Sequence, residues 1–343
     1  MRRRIYLLLW GIILVSLFSV CSNEQRLSSE NFKKEGENQL EFPGSKISFG
    51  DLFEEVNKVP LHDDPGFELS PWPSIGAINK EGNFIILDNF ARNILVFNRT
   101  GRGKEKIGSQ GRGEAQYLYP ECMFYQKHLG KYYVYDADRL RILLFDEEFR
   151  YSFSFDIPLY LEGLSVTDDG RIFCYTSGAA SARGADRVVY ECDKNGKILN
   201  KFCKMSKNYS PPGESKGGGI VIAGSNLYVI TPYEYTIKKF DLDGKMIKEV
   251  QGKSTQYIPP KKLTNDDLDE MRRDFQKIKE YHRSWSHIGQ ILRIGKQMIG
   301  IVVFMATPEP QTFFLDLYDL DLNRISGDIA LPEFKETIHR LYT

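Results

Sequence analysis

The feature that most constrains this 343-residue chain is a strand-and-turn pattern that recurs at nearly constant spacing. Five segments run from an apolar strand into a tight turn: LVFNRTG, LLFDEEF, YECDKNG, KFDLDGK and LYDLDLN. Their aligned positions, in chain order, are Phe97, Phe145, Cys192, Phe240 and Tyr318, at steps of 48, 47, 48 and 78 residues. Three nearly equal steps indicate an internal repeat, and repeats of this size bury their apolar faces by stacking on their neighbours.

A second apolar strand precedes each of these segments: FIILD, YYVYD, IFCYT, LYVIT and IGIVVF. Each repeat is therefore a meander of short strands, which is the unit of a β-propeller blade. Dividing residues 42–343 by the repeat length, with about 30 residues set aside for the long step, gives nearly six units. We predict an all-β, six-bladed β-propeller, whose sixth blade combines strands near Lys46–Phe49 and Lys58–Leu61 with the C-terminal stretch.

The 78-residue step contains a helical insertion at about 259–287. Pro259-Pro260 end a strand, Thr264 and Asp267 fit a capping box, and apolar residues then recur at helical spacing. The spacing predicts one amphipathic helix at about 264–283. Its apolar stripe is expected to pack on a blade flank, or alternatively to cover the ligand-binding face or to dock a partner.

The N-terminus predicts export. Arg2, Arg3 and Arg4 precede the apolar run 5–20, which is shorter than a membrane-spanning helix requires, and Cys21 follows at once. Residues 1–21 resemble a bacterial lipoprotein signal, which implies lipidation of Cys21; an ordinary secretory signal or an uncleaved anchor is the alternative. The polar residues 22–41 read as a tether that holds the propeller domain, residues 42–343, away from the membrane.

The run DNFARNILVFNRTG, followed by IGSQGRGEAQY, resembles the six-bladed, NHL-like β-propeller lipoproteins of anaerobic Gram-negative gut bacteria. The linker keeps Gly108, Gly111, Gly113 and Tyr117 of that family's GxGPGEY pattern, with Glu114-Ala115-Gln116 in place of Pro-Gly-Glu. The resemblance implies a lipid-anchored protein of the cell envelope that serves as a binding module.

Charge and cysteine content narrow the function classes. The chain has 46 basic and 46 acidic residues, and this balance gives no net positive field to attract nucleic acid or an anionic membrane. Nucleic acid is therefore not an expected partner, and only a lipid anchor would bring the chain to a membrane. Beyond Cys21, four cysteines remain without zinc-ligand spacing: Cys122, Cys174, Cys192 and Cys203. They are expected to be buried thiols, and a disulfide among them stays open.

Candidate ligand-binding residues follow the second strand of each repeat, because equivalent loops of a propeller gather on one face. Acidic, arginine and tyrosine side chains recur there and suit a polar ligand: Asp88, Asn89, Arg92, Asp136, Asp138, Arg139, Arg141, Arg183, Tyr233, Glu234 and Tyr235. Asp is also frequent in turns, so Asp88 and Asp136 have an alternative structural explanation.

Two functions fit these observations. The favoured one is a noncatalytic envelope lipoprotein that binds a glycan, peptide or exported partner protein and needs no cofactor. The alternative is a lactonase-type hydrolase or lyase with Ca²⁺ or Zn²⁺ in the channel, for which Asp88 and Asp136 would be ligands. Gly213–Gly217 matches G-x-S-x-G but lacks the flanking strand and helix of a nucleophile elbow, so no catalytic residue is predicted.

Overall fold

The computed structural model describes residues 48–52, 59–62, 64–70, 73–177, 185–204, 217–304 and 313–331. Within these residues, twenty strands form five four-stranded antiparallel sheets, and the strands of each sheet follow chain order. Strands that are neighbours in a sheet are also consecutive in the chain, so each sheet is the predicted meander. The fold is an all-β β-propeller, and each sheet is one blade.

The first of two compact units, Val56–Met205, contains three blades. Its first strands contact each other from blade to blade (β1 with β7, β7 with β11). The strands are, for blade 1, β1 (Ser74–Ile78), β2 (Phe84–Asp88), β3 (Asn93–Phe97) and β4 (Gly103–Lys106); for a linker pair, β5 (Ser109–Gln110) and β6 (Gln116–Tyr117); for blade 2, β7 (Pro120–Gln126), β8 (Lys131–Asp136), β9 (Arg141–Phe145) and β10 (Tyr151–Asp156); and for blade 3, β11 (Gly163–Val166), β12 (Ile172–Tyr175), β13 (Arg187–Cys192) and β14 (Ile198–Lys204).

The second unit, with Ser206–Glu333 as its main segment, contains two blades and the helical insertion. Its elements are, for blade 4, β15 (Gly219–Ala223), β16 (Asn226–Thr231), β17 (Glu234–Asp241) and β18 (Met246–Gln251); for the insertion, α2 (Asn265–Arg273) and α3 (Phe275–Arg283); and for blade 5, β19 (His287–Ile294), β20 (Met298–Phe304), β21 (Phe313–Asp319) and β22 (Arg324–Ala330).

The prediction of six blades is wrong, because the described residues form five. Two segments assigned to the sixth blade have other structures: Phe49–Leu52 is a four-residue helix, α1, and residues 59–62 form no strand. The other assigned residues, 46–47, 58 and 332–343, lie outside the described part. Dividing the length overcounted because it treated residues 42–73, which precede β1, as blade, although the described residues among them form no strand.

The aligned repeat positions are the last or second-last residues of the third strands and are buried as the pattern required, with exposures of 0–2%. An Asn or Asp follows each one, and its Oδ1 accepts the backbone N–H groups two and four residues later. The residue three positions further has positive φ in every blade: Gly101, Phe149, Gly196, Gly244 and Leu322. This local hydrogen bonding produces the recurring turn.

The insertion contains two helices instead of the single predicted one. Thr264 caps α2 with the predicted capping box, in which the Thr264 hydroxyl accepts the Asp267 N–H and the Asp267 carboxylate accepts the Thr264 N–H. Asp274 has extended backbone angles (φ −134°, ψ 105°), and its side chain accepts the Gln276 N–H. Because Asp274 ends α2 and caps α3, it divides the predicted helix into two nine-residue helices.

The four cysteines of the domain are buried free thiols. Cys192 occupies the repeat's core position, 2% exposed, and its Sγ lies 4.0 Å from that of Cys174. The hydrogen bond with the Cys192 thiol, together with burial, raises the pKa of Cys174 well above its usual value. These thiols act as small apolar core groups.

Candidate functional site

Asp88, the last residue of β2, is fully buried. Its carboxylate accepts the backbone N–H of Ser70 (2.6 Å), the Ser70 hydroxyl (2.6 Å) and the backbone N–H of Ala91 (2.8 Å). The side chain therefore joins the segment before β1 to the turn after β2. Burying a carboxylate is tolerated here because both of its oxygens are hydrogen-bonded.

Asp136 plays the same part in blade 2. It is also fully buried, and its two oxygens accept the backbone N–H groups of Leu118 and Tyr119, both at 2.9 Å. Leu118 precedes Asp136 by 18 residues, as Ser70 precedes Asp88. The repeated spacing and repeated bonds identify both aspartates as structural connections, so they leave the set of side chains that present themselves to a ligand.

The turn after β2, residues 89–92, presents three different chemical groups. Phe90 is 74% exposed, the highest value for a large hydrophobic side chain in the described residues. The Nδ2 group of Asn89 donates to the carbonyl of Glu121 (2.8 Å), at the start of β7. The Arg92 guanidinium lies 5.7 Å from the ring centroid of Tyr119. The turn after β2 in blade 1 thus contacts the residues at the start of blade 2.

The corresponding turn of blade 2 has a different role. Arg139 donates to the carbonyls of Gly113 (3.2 Å) and Gln116 (3.3 Å), and Arg141 donates to the carbonyl of Glu114. Both arginines therefore hold the glycine-rich linker, in which Gly108 and Gly111 have the positive φ that favours glycine. Of this turn's predicted ligand-binding residues, Asp138 is exposed.

In the second unit, the helical insertion covers the turn between β16 and β17. Tyr233 is 4% exposed and packs with Met271, Tyr281 and the fully buried Trp285. The ring centroids of Tyr233 and Trp285 are 5.9 Å apart. Glu234 is half-buried. This turn therefore offers no exposed tyrosine to a ligand, contrary to the sequence interpretation of Tyr233.

Two histidines complete this aromatic cluster. The ring of His287 lies 3.7 Å from that of Trp285, centroid to centroid, and stacks on His282 at 5.6 Å. Burial lowers the pKa of His282 to about 4 and also lowers that of His287. Both rings are therefore neutral near pH 7, which suits an aromatic packing environment.

Tyr235, the second residue of β17, follows the turn and is 1% exposed. Its hydroxyl donates to the fully buried carboxylate of Asp316, which also accepts the backbone N–H of Asp328 (2.6 Å). Burial raises the pKa of Asp316 and, to a greater extent, that of Tyr235. These bonds join blade 4 to blade 5, so Tyr235 is part of the polar core.

The alternative metal site fits the structure poorly. In the described part of the chain, no three His, Cys, Asp or Glu side chains converge as a metal site would require. The carboxylates named for such a site, Asp88 and Asp136, are already hydrogen-bonded at both oxygens. A cation would have to displace the bonds that connect each blade to its incoming segment.

Among the described residues, the candidate site is reduced to three parts: the turn 89–92 of blade 1, called the open turn below, its neighbour Tyr119, and the exposed Asp138 of blade 2. Phe90 was missed by the sequence analysis, which considered only polar residues at these turns. Aligning the repeats could have found it, because Phe90 stands where blade 2 has Asp138. Arg183 and Cys21 lie outside the described residues.

The fold and its turns define the class of protein as a β-propeller. The chain belongs to the family described as "Domain of unknown function (DUF4934)", which matches residues 37–289. It resembles the crystal structure of an exported protein from Bacteroides fragilis, with a TM-score of 0.58 and 16% identity, over 78% of this chain and 74% of that one. A DUF4221 family member from Bacteroides vulgatus gives a TM-score of 0.56 and 11% identity, over 80% and 84% of the two chains.

A curated relative is Protein brain tumor from Drosophila melanogaster. It is 26% identical over 141 residues, which are 38% of this chain and 12% of that protein, so the chain spans a small part of its relative. The structural similarities, all at low identity, concern the fold. Within the residues that the structure describes, no helix combines the length and apolar character needed to cross a membrane.

Proposed function

We propose that this protein is an exported, lipid-anchored binding module of the cell envelope, whose propeller face binds a polar ligand without catalysis. The observation that carries the proposal is the open turn 89–92, where Phe90 is 74% exposed. An apolar ring at a turn tip, beside an arginine and an amide, can contact a ligand that has both polar and apolar faces. The ligand classes are glycans, peptides and exported partner proteins.

Support for export comes from two sources. The N-terminal residues 2–21 have the order of a lipoprotein signal, with Cys21 as the lipid acceptor. A structural neighbour is named as an exported protein of Bacteroides fragilis. Lipidation predicts that the protein enters the detergent phase after cell fractionation, and that Cys21→Ser returns it to the aqueous phase. Equal partitioning of the two proteins would contradict the anchor.

Ligand binding is tested by applying the labelled protein to arrays of glycans and peptides. The double variant Phe90→Ala/Arg92→Gln removes the ring and the charge of the open turn. We expect binding to at least one ligand class to fall roughly tenfold or more, the effect of losing a charge-assisted contact together with apolar contact. No cofactor is added, because the proposed binding requires none.

The matched control is Phe153→Ala/Arg273→Gln, which removes the same two side-chain types elsewhere. Phe153 is 36% exposed on the outer strand β10, and Arg273 is exposed at the end of α2. We expect this control to bind as the unaltered protein does. Ligands that bind the two double variants equally well would rule out the open turn as the binding site.

A further inference from the structure

The open turn of blade 1 combines chemical groups that together define the class of ligand more closely than its polarity does. Phe90 supplies a flat apolar ring and Arg92, two residues later, supplies a cation. The corresponding residues of blade 2 are Asp138 and Leu140. Blade 2 therefore lacks this combination, and the turn itself does not require it.

The backbone of the turn supports this distinction. Arg92 has φ +55° and its repeat equivalent Leu140 has φ +50°, so the left-handed conformation belongs to the shared turn. The turn therefore tolerates an aliphatic side chain at this position. A structural requirement of the backbone does not account for the guanidinium of Arg92.

Arg92 also differs from the arginines that form ion pairs. Arg102, Arg150 and Arg171 each lie within 3 Å of a carboxylate oxygen. Arg92 has no carboxylate partner within the described residues and instead lies over the ring of Tyr119 at 5.7 Å. A cation held against an aromatic ring keeps its donors for an anion, and guanidinium groups bind carboxylates in a bidentate manner.

Asn89 connects the turn to blade 2 and does not contact a ligand. Its Nδ2 donates to the carbonyl of Glu121, and its Oδ1 is buried, out of reach of a ligand in solution. The turn thus offers a cation and an apolar ring to one small ligand unit.

We infer that the ligand of this turn is a hexuronic acid unit of a glycan. The C–H face of its ring would stack on Phe90, and its carboxylate would pair with Arg92. The inference rests on the proposed binding function and deepens it. A peptide anchor normally fills a pocket, whereas Phe90 is a ring exposed at a turn tip, which favours a stacked sugar over an acidic peptide.

The test is calorimetric titration of the purified protein with tetragalacturonic acid and tetraglucuronic acid. Fully methyl-esterified tetragalacturonic acid serves as the matched ligand, because it keeps the sugar rings and loses the charges. Tetraglutamate provides the same number of side-chain carboxylates on a peptide. Arg92→Gln and Phe90→Ala are compared with Arg273→Gln and Phe153→Ala, and thermal unfolding verifies that every variant is folded.

We expect at least one of the two uronic acid tetramers to bind, and the binding to weaken roughly tenfold in Arg92→Gln and about fivefold in Phe90→Ala. The methyl ester should bind the unaltered protein roughly tenfold more weakly than the acid. The two control variants should stay within about twofold of the unaltered protein.

Three results would overturn the inference. Undetectable binding of both tetramers, or equal binding of acid and ester, would exclude a uronic acid ligand. Tighter binding of tetraglutamate would replace the glycan with an acidic peptide. The proposed function survives these results if some array ligand still depends on Phe90 or Arg92, and fails with the inference if none does.

Discussion

In blade 1, the turn between β2 and β3 leaves Phe90 74% exposed, whereas in blade 4 the turn between β16 and β17 keeps Tyr233 at 4%. The first turn is held from beneath by the carboxylate of Asp88, which bonds to Ser70 and Ala91. The second has Thr231 at the corresponding strand end and is covered by α3 and Trp285. The same repeat position can therefore be stabilised by a buried carboxylate or by an aromatic cover.

The two turns show that stabilising a turn and leaving its side chains accessible to a ligand are separate properties. A carboxylate beneath the turn fixes the backbone while its surface side chains stay available to a ligand. An aromatic cover stabilises the turn by burying apolar area, and the covered side chains are lost as binding groups. The two arrangements predict different consequences of substitution and of acidification.

The largest effect is expected for Trp285→Ala. Trp285 is fully buried between Tyr233 and His287, so its removal should lower the free energy of unfolding by about 3–5 kcal/mol. Urea denaturation provides the measurement. Trp285→Phe should recover most of the loss, because Nε1 has no acceptor among the described residues. A loss below about 1 kcal/mol for the alanine variant would show that the cover contributes little.

Asp88→Ala is expected to come second, with a loss of about 2–3 kcal/mol. The change leaves the backbone N–H groups of Ser70 and Ala91 without their acceptor. Asp138→Ala, on the exposed equivalent of Phe90, is the control and should change the free energy of unfolding by less than about 0.5 kcal/mol. Metal content, measured by plasma mass spectrometry, should be the same in the unaltered protein, Asp88→Ala and Asp138→Ala. Loss of a stoichiometric metal in Asp88→Ala would support the alternative function, a metal-dependent hydrolase.

Acidification should act on the covered turn. Burial lowers the pKa of His282 to about 4 from 6.5, and it lowers that of His287. Since the unfolded chain binds these protons more readily, stability is complete above about pH 6.5 and is lost as the pH falls toward 4. We expect a loss of about 1–2 kcal/mol, because His282 is partly exposed.

Trp285 fluorescence reports this change in a Trp72→Phe protein that lacks residues 1–21 and with them Trp10, recorded during denaturation from pH 7 to pH 4.5. His282→Gln should flatten the pH profile, while His128→Gln, at an exposed residue, should leave it as it is. A profile that His282→Gln does not alter would exclude His282 as its source.

The smallest effect on stability is expected for Phe90→Ala. Because the ring is mostly exposed, its removal should alter the free energy of unfolding by less than about 0.5 kcal/mol. Urea denaturation of this variant beside Trp285→Ala compares the open and covered turns directly. A loss above about 2 kcal/mol in Phe90→Ala would mean that the ring is part of the core, and the distinction between the turns would fail.

Local features of the fold could be predicted from the sequence. The second and third strands of all five blades, their turns and the Thr264 capping box follow from residue patterns over a few positions. The number of blades could not, because length alone does not distinguish blade from linker. The division of the helix was missed because apolar spacing continues across Asp274, whose extended backbone interrupts the helix.

The candidate site was less accessible to sequence reasoning. Apart from the Ser70 hydroxyl, the partners of Asp88 and Asp136 are backbone N–H groups, which lie as far as 18 residues upstream, and backbone donors leave no residue-specific signal. The carbonyl partners of Arg139 and Arg141 are hidden for the same reason. Phe90 had a usable signal, an aromatic residue where the repeat has Asp138, but it required comparison between blades.

The chain-order arrangement of the strands has a consequence for how the protein is made. Every blade pairs strands from one contiguous segment of 33 to 44 residues, so no sheet needs a strand from a distant part of the described chain. Such local pairing closes short loops and favours rapid formation. A chain that emerges from a pore with its N-terminus first can therefore complete one blade before the next has appeared, which limits the time for which unpaired strand edges are exposed to aggregation.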